Sequence, residues 1–175
     1  RNLRCFVPAI LQELRARLGV FESSFQKESL PFSRLPGGLP RGILAEITGR
    51  GKTESVALLL AENPALRCAW IESCFSLLPS ALPQRRVALE KIFFIEAGRD
   101  AAWAAATVLS AQIFPLVIYH APYGDLRELR RFQLLAGKSH STLILLADAP
   151  APNAWPIRLS LEAREGGRRL ALARE

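Results

Sequence analysis

Apolar residues occur along this chain in two alternating patterns. Short, mostly apolar runs are typical of strands buried on both faces of a parallel sheet, and they occur at 43–47, 67–72, 92–95, 116–119 and 142–146. Segments that carry apolar residues on one side separate these runs, and they predict helices over 55–62, 81–91, 100–112 and 125–136. Because strands alternate with helices, the pattern predicts an α/β fold in which helices flank a mainly parallel sheet.

The two ends of the chain depart from this alternation. In the segment 8–19, leucine and isoleucine recur at helical spacing and predict a short amphipathic helix, which a polar linker follows. Near the other end, apolar and polar residues alternate over 157–163, and two glycines separate them from a second run at 169–173. This pattern predicts an antiparallel hairpin that completes the sheet. We therefore divide the chain into an N-terminal helix and linker, residues 1–34, packed on a single α/β domain, residues 35–175.

Composition narrows the class of protein. The chain has 175 residues, of which 50% are apolar, and this is enough material for one buried core. Its three cysteines form no C-x-x-C pair and no cluster with histidine, so neither a disulfide framework nor a zinc site is indicated. No apolar run approaches the roughly 20 residues of a membrane span, and the first residues lack the apolar stretch of a secretory signal. We expect a cytoplasmic protein with no membrane partner.

The charge of the chain bears on its partners. The net charge is +7 and the isoelectric point is about 10.0. Such a balance favours phosphate groups, nucleic acid or acidic protein surfaces as partners. A solvated basic surface without a specific ligand would give the same numbers, so charge alone identifies no ligand.

The segment that matters most for chemistry lies where the first core strand meets its helix. Gly51, Lys52 and Thr53 match the end of the phosphate-binding pattern G-x-x-x-x-G-K-[ST], in which backbone N–H groups and the lysine hold phosphates. The position five before Gly51 is Glu46 rather than glycine, and counting from Gly49 puts Glu54 and Ser55 where glycine and lysine belong. The sequence therefore predicts a degenerate nucleotide loop built from Gly49, Gly51, Lys52 and Thr53.

The residues before this loop carry a family resemblance. The segment Gly37–Gly49 closely resembles the approach to the nucleotide loop in RecA-type recombinases, which implies a RecA-like core. Against that family's pattern the loop is short by about three residues. The resemblance also places Cys74 where the family has a water-activating glutamate, and His120 where it has an aspartate associated with magnesium. A thiol cannot replace that carboxylate, and imidazole is a poor magnesium ligand.

These departures lead to an expectation about catalysis. Glu72 lies two residues before Cys74 and would be a displaced substitute for the missing glutamate at best, and we expect it to be a polar strand end. His120 is expected to be a partly buried strand-end residue rather than a ligand or a base. We expect no ATP hydrolysis, no catalytic residues, no metal site and no cofactor, with ATP and magnesium as the alternative.

Later segments narrow the resemblance. The stretches 79–95, 100–103 and 126–136 look like ImuA, a group of RecA-related proteins of bacterial mutagenesis operons. The most particular match is Arg130–Leu134, and the likeness runs from about Leu35 to Arg174. It implies a role in damage-induced translesion synthesis beside a Y-family-like polymerase subunit and RecA. Considered without the family, Arg127, Arg130 and Arg131 share one predicted helix, and their guanidinium groups could hold a partner carboxylate or a DNA phosphate.

Three functions fit this sequence. The preferred hypothesis is a non-catalytic RecA-like adaptor in the bacterial DNA-damage response, acting through protein partners with DNA as an additional partner. One alternative is a SulA-like cell-division inhibitor that binds the tubulin-like division protein, because SulA-type proteins have a similar helix before a strand. The other is an active RecA-like ATPase or recombinase paralogue, which would need a working loop around Lys52.

Overall fold

The computed structural model describes residues 28–122, 125–151, 157–164 and 167–173. Within these ranges the helices and strands, in chain order, are β1 (Ser29–Leu30), β2 (Leu39–Pro40), β3 (Leu44–Gly49), α1 (Lys52–Glu62), β4 (Cys68–Glu72), β5 (Ile92–Glu96), α2 (Ala101–Ala111), β6 (Leu116–His120), α3 (Leu126–Ser139), β7 (Thr142–Ala147), β8 (Ile157–Arg164) and β9 (Gly167–Ala173).

The main sheet has seven strands in the order β5-β4-β6-β7-β3-β8-β9. Its neighbours are parallel except for β8 and β9, which pair antiparallel as a hairpin. β1 and β2 form a separate antiparallel ribbon. The predicted α/β fold with a mainly parallel sheet and a final hairpin is confirmed.

Helices and loops cover the sheet on both faces. On one face, α1, the segment 30–43 and residues 82–87 pack against the sheet, and on the other face α2 and α3 pack against it. All residues of β4 are buried, as expected for an inner strand of a covered parallel sheet. None of the described helices combines the length and apolar character that a membrane span requires.

The helix predicted over 81–91 is wrong. This part of the chain contains three isolated 3₁₀ turns, at Pro79–Ala81, Pro83–Arg85 and Leu89–Lys91. Pro79 and Pro83 each start one of these turns, a position that suits proline because its fixed φ is compatible with the turn and no N–H is needed there. Arg86 then adopts a left-handed conformation with φ 62°, which ends any helical continuation. The other helices and strands predicted within the described ranges are present, with ends that differ by a few residues.

The linker packs on the core through apolar side chains, although its composition is mostly polar. Leu30 and Phe32 of the linker, and Leu35 at the start of the domain, are buried in the core beside α1. The Asn63 side-chain amide at the end of α1 donates to the Pro31 carbonyl at 2.8 Å, so the linker is tied to the C-terminus of that helix. The helix predicted within residues 8–19 lies outside the described residues.

The strand order creates one crevice at the carboxyl edge of the sheet. The connection after β4 leads outward to β5, whereas the connection after β6 leads through α3 in the opposite direction to β7. Ligand sites of open α/β sheets lie where neighbouring strands diverge in this way. A ligand site is therefore expected in the crevice between the carboxyl ends of β4 and β6.

Candidate functional site

The turn between β3 and α1 is very short. β3 ends at Gly49 and α1 begins at Lys52, so Arg50 and Gly51 alone connect them. Gly49 and Gly51 have φ values of 88° and 98°, which lie in the left-handed region that favours glycine. The four predicted loop residues meet around one shallow depression of about 540 Å³, which Asp148 also lines. A two-residue turn supplies few backbone N–H groups for phosphates.

The lysine of this turn is already paired inside the protein. The Lys52 Nζ donates a hydrogen bond to Asp148 Oδ1 at 2.5 Å, from the start of α1 to the residue after β7. The lysine side chain is 13% exposed, whereas that of Asp148 is 96% exposed, so the carboxylate lies on the outside of the pair. The hydrogen bond and the positive charge of Lys52 lower the pKa of Asp148. Sequence reasoning missed this partner.

Glu46, which stands where the phosphate-binding pattern has glycine, has a structural role. Its carboxylate is fully buried and accepts hydrogen bonds from Arg158 Nε at 2.6 Å and from the Ala151 N–H at 2.7 Å. The Arg158 guanidinium also donates to the Ala151 carbonyl at 2.6 Å. Glu46 and Arg158 are register partners in the parallel pair β3 and β8. The ion pair therefore connects two core strands and the segment that follows β7.

Glu72 is a polar strand end, as the sequence predicts, and it closes β4. It is also fully buried, and its carboxylate accepts several hydrogen bonds, which the sequence did not indicate. The Trp70 indole donates to Oε1 at 2.8 Å, and Ser76 donates to Oε2 through its N–H at 2.5 Å and its hydroxyl at 3.1 Å. Burial raises the pKa of Glu72, but the donors on Ser76 and Trp70 and the charge of His120 outweigh that effect, and the pKa is lowered overall.

His120 closes this cluster from the neighbouring strand. It is a partly buried strand-end residue, 23% exposed in its side chain, as the pattern predicts. Its Nδ1 lies 3.4 Å from Glu72 Oε1 and 3.2 Å from Ser76 Oγ, so the same ring nitrogen faces both groups. In a serine–histidine–carboxylate relay the two ring nitrogens face opposite partners. The arrangement here therefore holds the histidine in place and does not match that relay.

The cluster borders a cavity of about 390 Å³ at the crevice between β4 and β6. Ser73, Cys74 and His120 line it, together with Asp148 from the end of β7. Of the two described cysteines, Cys74 is exposed and Cys68 is buried, and both are free thiols. Among the described residues, no group of three or more histidine, cysteine or acidic side chains is placed to hold a metal ion.

α3 carries the predicted arginines and the motif Arg130–Leu134. Its inner side is fixed, because Phe132 is buried with its ring 5.3 Å from that of Tyr119 and Gln133 Oε1 accepts the Leu44 N–H at 2.9 Å. Its outer side exposes Arg127, Arg130 and Arg131. No hydrogen bond or ion pair joins these three arginines to any residue that the structure describes.

The structure thus separates the two sets of predicted site residues. Gly49, Gly51, Lys52 and Thr53 lie together at the carboxyl edge of the sheet, beside carboxylates that already have donors. The three arginines lie on α3, on a face of the sheet that α1 does not share.

No protein-family model matches this chain, and no curated protein matches it significantly in sequence.

Proposed function

We propose that this chain is a non-catalytic RecA-like adaptor of the bacterial DNA-damage response. It works in the cytoplasm in translesion mutagenesis, where it binds protein partners of the mutagenesis complex and uses DNA as an additional partner. The partners implied by the resemblance to ImuA are a Y-family-like polymerase subunit and RecA. The observation that carries the proposal is the β3–α1 turn, in which two residues replace a loop and Asp148 engages the lysine.

Nucleotide binding at this turn would be costly. A triphosphate would have to displace the Asp148 carboxylate from Lys52 and would meet like charge from that carboxylate at close range. Phosphate sites gain their affinity from several backbone N–H groups that converge on the anion, and the two-residue turn supplies few of them. We therefore expect any ATP binding to be too weak to support turnover.

Hydrolysis would also require a carboxylate that can orient water. Glu72 is the acidic residue nearest to the family's position, and both of its oxygens accept hydrogen bonds from within the protein. Its side chain is 1% exposed, so water has little access to it. A general base must lie within hydrogen-bond reach of the proton that it removes. Glu72 stabilises the end of β4 and the turn that contains Ser76.

A calorimetric titration tests the proposal directly. The full chain is titrated with ATP in the presence and absence of magnesium, and phosphate release is followed in parallel. We expect no binding heat and no phosphate release above that of a Lys52→Ala variant. ATP binding that requires magnesium, disappears in Lys52→Ala and persists in the exposed control Lys91→Ala would overturn the proposal.

The adaptor role requires a second measurement. The chain is co-expressed with the Y-family-like polymerase subunit of the same organism and, separately, with its RecA, and each pair is purified through a tag on this chain. We expect at least one of the two proteins to be retained in a stoichiometric complex. If neither is retained before or after DNA damage, the adaptor function is wrong.

A further inference from the structure

The outer face of α3 is a continuous cationic stripe. Its exposed residues are Arg127, Arg130, Arg131, Leu134, Gly137 and Lys138. At 3.6 residues per turn these positions lie on one side of the helix, and at a rise of 1.5 Å per residue they extend over about 16 Å. No acidic side chain is exposed among the helical residues of this face. The stripe is therefore a positive surface of defined length, which is bordered by the exposed Asp125 at the start of the helix and by the partly buried Glu128.

One exposed leucine, Leu134, lies among the cationic residues of the stripe. Leu134 is 66% exposed, although most leucines of the described chain are buried. Residues three and four apart are neighbours on a helix surface, so Leu134 is adjacent to Arg130, Arg131 and Lys138. An exposed apolar side chain ringed by cations has the composition of a small binding centre with a polar rim.

Packing on the sheet fixes the orientation of α3 and keeps the stripe exposed to solvent. Leu129, Phe132 and Ala136 are buried on the opposite side, and Gln133 is hydrogen-bonded to the backbone of β3. At the start of the helix, the Asp125 side chain accepts the Glu128 N–H at 2.9 Å and caps it. The stripe is thus presented by a rigid element, which reduces the entropy that binding must offset.

We propose that this stripe binds an acidic amphipathic helix of a partner protein, with an apolar residue of that helix against Leu134 and its carboxylates against the arginines. Guanidinium groups hold carboxylates through two parallel hydrogen bonds, and helices often bind through such facing apolar and charged residues. The inference deepens the proposed adaptor function by naming the surface and the chemistry of one partner.

Nucleic acid fits the stripe less well. A phosphate backbone would match the four cations, but it offers no apolar surface, and its contacts carry affinity through charge alone. Leu134 would then have the bases as its apolar contact, and single-stranded nucleic acid stacks its bases on aromatic side chains, of which the stripe has none. The exposed leucine therefore favours protein over DNA at this face.

Direct titration with two labelled probes tests the choice of partner. One probe is a peptide of about 18 residues, long enough to form a helix, with a central leucine and glutamates three and four positions on either side. The other is an oligothymidylate of about 30 nucleotides. Fluorescence anisotropy is measured with the full chain at about 50 mM and about 200 mM salt. We expect tighter binding of the peptide than of the oligonucleotide at the higher salt.

Charge-reversal variants locate the site. We expect Arg130→Glu with Arg131→Glu to weaken peptide binding by at least about tenfold. The matched control is Arg86→Glu with Lys91→Glu, which changes the net charge equally at two exposed positions between β4 and β5, outside α3. We expect it to change the affinity by less than about twofold, because neither position belongs to the stripe and salt screens exposed charges that do not contact the peptide. Equal losses in the two double variants would contradict the proposal.

The leucine is tested by a double-mutant cycle. Leu134→Ser is combined with a peptide in which serine replaces the central leucine, and the four affinities are compared. We expect each single change to weaken binding about fivefold or more and the second change to add little once the first is made. Independent effects of the two changes, or tighter binding of the oligonucleotide than of the peptide, would overturn the proposal.

The peptide titration and the ATP titration can fail independently of each other. ATP binding at Lys52 would overturn the non-catalytic assignment, but it would leave the peptide titration unchanged because the stripe lies on α3. Failure of the peptide titration would remove this docking surface and leave the nucleotide result as it stands.

Discussion

The β3–α1 turn and the outer face of α3 are both rich in charged side chains, but they use them differently. Around the turn, Lys52 is paired with Asp148 and Glu46 with Arg158. On α3, the arginines make no hydrogen bond or ion pair with any residue in the described ranges. Apart from the exposed Arg50, charge at the turn is satisfied within the fold, whereas charge on the outer face of α3 is open to a partner.

This difference has an energetic consequence. A buried charge whose partner is removed keeps its desolvation penalty, so loss of one partner is strongly destabilising. An exposed cation contributes little to the free energy of unfolding, because water solvates it in both states. Variants of buried charged pairs such as Glu46 and Arg158 should therefore change stability, and variants on the outer face of α3 should change binding alone.

The largest expected effect is that of Arg158→Ala. It leaves the buried carboxylate of Glu46 with the Ala151 N–H as its remaining donor among the described residues, and we expect the free energy of unfolding to fall by about 3–5 kcal/mol. Urea unfolding followed by circular dichroism measures the loss. Arg85→Ala is the matched control, because Arg85 Nε also lies 2.6 Å from a carboxylate oxygen, that of Glu54, but both side chains are 40% exposed or more.

The control distinguishes the effect of burying an ion pair from the effect of forming one. We expect Arg85→Ala to cost about 1 kcal/mol or less, as is usual for an exposed pair. If the two arginine variants lose similar amounts of free energy, burial does not distinguish these pairs and the comparison between the two regions fails.

Among the substitutions of charged residues, Glu72→Gln should have the second largest effect. The amide cannot accept from Ser76 and Trp70 as the carboxylate does, and we expect a loss of about 1–3 kcal/mol at neutral pH. The pKa of Glu72 is lowered in the folded state from an ordinary value of 4.5, so its contribution is fully present above that value and is lost as the pH falls through the lowered pKa.

The pH dependence of stability checks this assignment. Urea unfolding between neutral pH and acid should show that the difference between wild type and Glu72→Gln shrinks as the pH falls below 4.5. Glu90→Gln, at an exposed position, should match wild type at neutral pH. A difference that stays constant down to acid pH would show that the charge of Glu72 does not stabilise the fold.

The α3 charge reversal should hardly change stability. Arg130→Glu with Arg131→Glu alters two exposed side chains, and we expect the free energy of unfolding to stay within about 0.5 kcal/mol of wild type per substitution. Phe132→Ala, between the same helix and the sheet, should cost about 3–5 kcal/mol by leaving a cavity beside Tyr119. Thermal unfolding of both variants distinguishes the outer face from the inner one. A large loss in the charge variant would mean that the stripe is structural.

Hydrophobic pattern was sufficient to predict the sheet and α3, since burial depends on local runs and helical spacing. The apolar run of β6 and the one-sided pattern of α3 both appear in the structure as predicted. The segment 81–91 has apolar residues at similar spacing, but the turn that starts at Pro83 ends at the left-handed Arg86, and no helix continues from it. Backbone chemistry outweighed periodicity at that point.

The candidate site was only partly predictable. The missing glycine at Glu46 and the short turn before Lys52 are visible in the sequence. The partner of Glu46 is not, because Arg158 is 112 residues away and is brought there by the pairing of β3 with β8. Asp148 is 96 residues from Lys52 and reaches it through the pairing of β7 with β3. Such partners follow from strand order, which spacing along the chain does not reveal.

The smallest expected effect is that of Lys52→Ala on the titration of Asp148. Because the hydrogen bond and charge of Lys52 lower the pKa of Asp148, their removal should raise it toward the ordinary value of 3.8. Carboxyl-detected NMR of labelled protein follows this titration, and Lys91→Ala should leave it unchanged. If the pKa of Asp148 does not move, the carboxylate does not hold the lysine in solution. Lys52 would then be available to a phosphate. The contrast between a lysine paired within the β3–α1 turn and unpaired arginines on the outer face of α3 would no longer support the proposal that this chain acts by binding partners.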